Sequence, residues 1–79
     1  MPLFRRRPIS FRDALSAARE IGVEQLRGLP RDEAAALVAA HALKAKGVDP
    51  ADPAIDWEGL ISFIERLLPL IIQIIEMFG

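Results

Sequence analysis

The sequence predicts an all-α protein with three main helices, over about residues 10–21, 30–46 and 57–78. Three observations point there. Apolar residues recur at three- and four-residue intervals in the first and last of these segments, and no segment alternates as a strand does. The middle segment carries AAALVAAHALKAK, a run of strong helix formers. Proline and glycine stand between the segments, where helices start and stop.

Residues 1–9 come first, with Pro2, Pro8 and the triplet Arg5, Arg6 and Arg7. They read as an extended basic arm. Residues 1–12 hold four arginines and no acid, whereas residues 13–79 hold the other six basic and all eleven acidic groups, so a +4 arm precedes a −5 body. Such a split is an interaction pattern. No apolar run of signal-peptide length follows Met1, so the expected location is the cytoplasm or the interior of a particle.

The first helix reads SFRDALSAAREIG. Ser10 is a good N-cap, and Asp13 in the first turn complements the positive end of the helix dipole. Phe11, Ala14, Leu15, Ala18 and Ile21 form its apolar face, and Gly22 is the expected stop. A short turn, VEQLR, follows before Gly28. The next helix opens after Leu29, with Pro30 suited to its first turn and Asp32 and Glu33 to its positive end. Lys44 and Lys46 suit its last turn, and Gly47 its C-cap. Leu37 and Val38 point one way from this helix and Leu43 roughly the other, so contact on two sides is expected. Residues 10–47 thus form a small helical hairpin. VDPADPAID, residues 48–56, is an Asp/Pro linker whose last residue caps the final helix.

That helix, WEGLISFIERLLPLIIQIIEMFG at residues 57–79, is far more apolar than the rest. On a wheel, Glu58, Ser62, Glu65, Arg66, Pro69, Gln73 and Glu76 fall in an arc of roughly 120°, and apolar side chains fill an arc of about 220°. Pro69 removes one backbone hydrogen bond and clashes with the Glu65 carbonyl. Because both lie on the polar side, the freed carbonyl can face water. A single kinked helix about 33 Å long is therefore expected.

The apolar arc is more than two short helices, one mostly alanine, can cover. A chain of 79 residues without cysteine is also a marginal domain that needs support from a partner. The expected docking face is Trp57, Leu60, Ile61, Phe63, Ile64, Leu67, Leu68, Leu70, Ile71, Ile74, Ile75 and Phe78. Arg5, Arg6 and Arg7 would make a second, electrostatic contact. The function this implies is a non-enzymatic structural or adaptor subunit that docks or self-assembles within a larger assembly, such as a virion or similar particle. Its partner is a protein, its own copies included.

Two alternatives stand beside that reading. One is a membrane-embedded or membrane-active oligomer, opposed by Glu65 and Arg66 in mid-helix, which are costly in lipid unless they face a bundle or pore. The other is a nucleic-acid-associated protein that uses the arginine arm on phosphates, with steep salt dependence.

Other candidate chemistry reads more simply as structure. Asp49, Asp52 and Asp56 lack EF-hand spacing and suit Asx turns and a cap. His41 has no nucleophile motif to serve. Glu58, Glu65 and Glu76 suit a solvated stripe. No catalytic residue, metal, cofactor or small-molecule substrate is expected. AAREIGVEQLRGL resembles the first helix and turn of a helix-turn-helix at Ala18, Gly22 and Val23. A recognition helix beginning there would meet Gly28 and Pro30 within about two turns, and a groove-reading helix needs more exposed side chains at its start.

Overall fold

Local sequence rules set the ends of each helix in the computed structural model, which describes residues 9–78. Helix α1 spans Phe11–Ile21. The Asp13 backbone N–H donates to Ser10 Oγ at 3.3 Å and the Ser10 backbone N–H donates to Asp13 Oδ2 at 2.8 Å, a reciprocal capping box. Gly22 ends α1 at φ 105°, a backbone setting that a Cβ would strain, and helix α2, Val23–Arg27, starts at once.

Helix α3 spans Arg31–Ala45, with Pro30 in an extended conformation as its N-cap rather than in its first turn. At its far end the Val48 N–H donates to the Leu43 carbonyl at 2.8 Å and the Gly47 N–H to the Lys44 carbonyl at 3.0 Å. With Gly47 at φ 78°, this is a Schellman stop. In the linker, Asp49 Oδ1 accepts from the Ala51 N–H and Asp52 Oδ1 from the Ala54 N–H, both at 2.9 Å. Asp56 Oδ1 accepts from the Gly59 N–H at 3.1 Å and opens helix α4, Trp57–Phe78. The three aspartates are thus engaged as Asx turns and a helix cap. Helix α4 runs unbroken through Pro69, whose ring is exposed.

All four helices share one core; no strand occurs among the described residues. Among the described residues, seven of the fifteen that are buried are alanines of α1 and α3: Ala14, Ala17, Ala18, Ala34, Ala35, Ala39 and Ala42. Alanine lets α1 and α3 approach closely but buries little apolar area. Bulk comes instead from Val38 and Leu43 of α3, from Leu26 of α2, and from Leu60, Ile64, Leu68 and Ile71 of α4. Helix α3 lies against both α1 and α4, as its two-sided pattern requires. Ile9, grouped in the sequence with the basic arm, is 1% exposed and belongs to the core. The linker also folds back: Val48 and Ile55 rest on the core, and Trp57 Nε1 donates to the Pro50 carbonyl at 2.9 Å.

Candidate functional site: the outer face of helix α4

The residues expected to dock fall into three groups in the structure. Leu60, Ile64, Leu68 and Ile71 are at most 4% exposed and are taken up by the chain's own core. A partner could reach them only by opening the fold. Trp57, Ile61, Phe63, Leu67 and Ile75 are half-buried against that core, and Ile74 is half-buried too. Leu70 and Phe78 are 48% and 76% exposed, and Met77, which sequence reasoning left out, is 71% exposed.

Beside the inward residues runs a row that mixes exposed and half-buried side chains. Leu67, Leu70, Ile74 and Met77 succeed one another at intervals of three, four and three residues, and Phe63 extends the row by four. At about 100° per residue this row lies roughly 95° around α4 from the line of Leu60, Ile64, Leu68 and Ile71. Helix α4 therefore carries an inward apolar line and, beside it, a row that is half-buried at Phe63, Leu67 and Ile74 and exposed at Leu70 and Met77.

The polar stripe is more structured than a simple solvated face. Glu76 pairs with Arg27 of α2, which ties the distal half of α4 to the body. Beside this pair a groove of about 260 Å³ runs between α2, the start of α3 and α4. Leu26, Leu29, Leu68, Pro69 and Ile72 form its apolar lining, and Arg27 and Arg31 stand at its edge.

Two further polar contacts join the helices. His41 Nε2 lies 2.6 Å from Glu20 Oε1, between α3 and α1. Lys46 Nζ donates to Asp13 Oδ2 at 3.1 Å, so the end of α3 is fastened to the start of α1. The Ser10 backbone N–H, then the Lys46 side chain, hold the Asp13 carboxyl below its ordinary value of 3.8. The Arg27–Glu76 and Lys46–Asp13 contacts are charge pairs, and the His41–Glu20 contact is a hydrogen bond between packed helices.

The five-residue α2 has no room for a recognition helix. Arg5, Arg6 and Arg7 lie outside the described residues. No helix among the described residues is long and apolar enough to cross a membrane. Every 18-residue window of α4 contains Glu65, Arg66 and either Glu58 or Glu76.

The chain matches no family model, no curated protein and no solved structure.

Proposed function

We propose that this protein is a non-enzymatic structural or adaptor subunit that docks through the outer face of α4 within a larger assembly. The observation that carries the reading is the exposed apolar side of distal α4, where Leu70, Met77 and Phe78 are 48%, 71% and 76% exposed and Leu67 and Ile74 beside them are half-buried. Contiguous exposed apolar surface of this kind marks an interaction site. The side chains are few and ordered along one helix, as in recognition of a helix face. Arg5, Arg6 and Arg7 add a salt-sensitive contact to an acidic surface. The three charges in every spanning window of α4 favour a protein partner over lipid.

A photo-crosslinking amino acid in place of Leu70 tests the reading in cells that make the full chain. Cross-links to protein are expected. Products with lipid alone, or no product while the chain is folded and abundant, would refute it.

A further inference from the structure

We propose that the groove between α2, the start of α3 and α4 binds a small amphipathic carboxylate, a single alkyl chain that ends in an anionic head. The site is separate from the docking face: Ile72, in the groove wall, lies about 160° around α4 from Leu70. The groove exists because little side-chain bulk meets there. Helix α2 stops after five residues, Leu29 and Pro30 carry the chain across to α3, and Ala34 puts only a methyl group beside Leu68. Leu26, Ala34 and Leu68, at most 4% exposed, form the floor. Leu29, Pro69 and Ile72 form walls that still meet water. A volume of about 260 Å³ holds about eight groups the size of a water molecule, at about 30 Å³ each, and a methylene is of similar size. Pockets for drug-sized ligands start at about 300 Å³. The space therefore suits one narrow chain.

Charge at the rim selects the head group. The only polar side chains that line the groove among the described residues are Arg27 and Arg31, and no acid lines it. Arg27 is already paired with Glu76. Arg31 is exposed, and its side chain makes no hydrogen bond or ion pair among the described residues. Asp32 and Glu33 already offset the dipole of α3, so the Arg31 guanidinium is what draws an anion. A guanidinium takes a carboxylate through two parallel N–H···O bonds. An apolar floor with one unpaired cation at its edge thus specifies a ligand with one apolar end and one anionic end. Residues 13–79 carry a net charge of −5, so the long-range field gathers no anions and recognition is local. The lining holds no nucleophile and no general base, so the ligand is held rather than converted.

Amide chemical shifts of the full chain, followed during titration with octanoate, test the site. Saturable shifts centred on Leu26, Leu29, Arg31 and Ile72 are expected, with a dissociation constant below about 5 mM, a modest demand for so small a ligand. Octanol, the same chain without the charge, should bind at least about tenfold more weakly, because it forms no charge-assisted pair. Octanoate should bind Arg31→Gln more weakly by a similar factor. Lys44→Gln removes the same charge at the far end of α3 and should leave the dissociation constant unaltered. Circular dichroism checks that each variant keeps its helices, and the octanol comparison needs no variant at all. Equal binding of octanol and octanoate would overturn the proposal, as would equal effects of the two substitutions. Shifts centred on Leu70 and Met77, or no saturation by about 5 mM, would overturn it too.

Discussion

Ile71 and Leu70 are neighbours in sequence, yet one is 0% and the other 48% exposed. Replacing each with alanine separates the inward line of α4 from the outward one. Ile71→Ala removes three buried carbons, worth about 0.8 kcal/mol each, and leaves a cavity, for a total of about 2–5 kcal/mol. A domain of this size has only about 4–12 kcal/mol of stability, so the variant should lose a large share of it. The melting temperature should fall by roughly 10–30 °C. Leu70→Ala removes surface that is already half in water and inserts a better helix former, so its cost should stay under about 1 kcal/mol. Thermal and urea unfolding would be followed by circular dichroism and by Trp57, the single tryptophan, whose indole is fastened to Pro50. Both variants are compared at the same low concentration, so that any association through the exposed face stays out of the comparison. Equal losses at the two positions would mean that α4 is rotated about its axis, and the division between core and docking strip would fail.

Two other perturbations probe what holds the helices. Pro69→Ala restores a helix former at an exposed interior position and should stabilise the chain by about 2 kcal/mol, the propensity gain less the extra freedom of the unfolded chain. A lower melting temperature would show that Pro69 is needed to fit α4 to its neighbours. At Asp13, the folded-state carboxyl titrates below its ordinary value of 3.8, chiefly through the Ser10 backbone N–H and then Lys46. Its stabilisation is therefore complete above that ordinary value and is lost as pH falls through the lower, folded-state one. Melts from neutral to strongly acid pH should show this loss, and Asp13→Asn should flatten that part of the profile. An unchanged acid limb in the variant would remove Asp13 from the acid response.

The pairings that join distant parts of the chain, Arg27 with Glu76, His41 with Glu20 and Lys46 with Asp13, carry no local signature. Charged residues occur at many positions, and only the approach of the helices selects which ones meet. The alanine of α1 that the apolar-face reading omitted, Ala17, is 3% exposed for a similar reason. It lies about 40° beyond the Ile21 edge of that face, and only the close approach of another helix buries it.

The sequence by itself determined the helices and their ends. Caps, glycine stops and proline starts act within four or five residues, so Ser10 with Asp13, Gly22, Gly47 and Asp56 could be read directly. It also determined that α4 carries more apolar surface than a lone helix can hide. Which part of that arc is hidden was decided only by the tertiary structure. A wheel ranks directions around one helix, but the positions of α1, α2 and α3 set which direction is inward. Those positions follow from close alanine packing and from the linker folding back through Trp57 and Pro50. Hence Leu60, Ile64, Leu68 and Ile71 became core, while Leu70 and Met77, chemically much the same, were left facing outward.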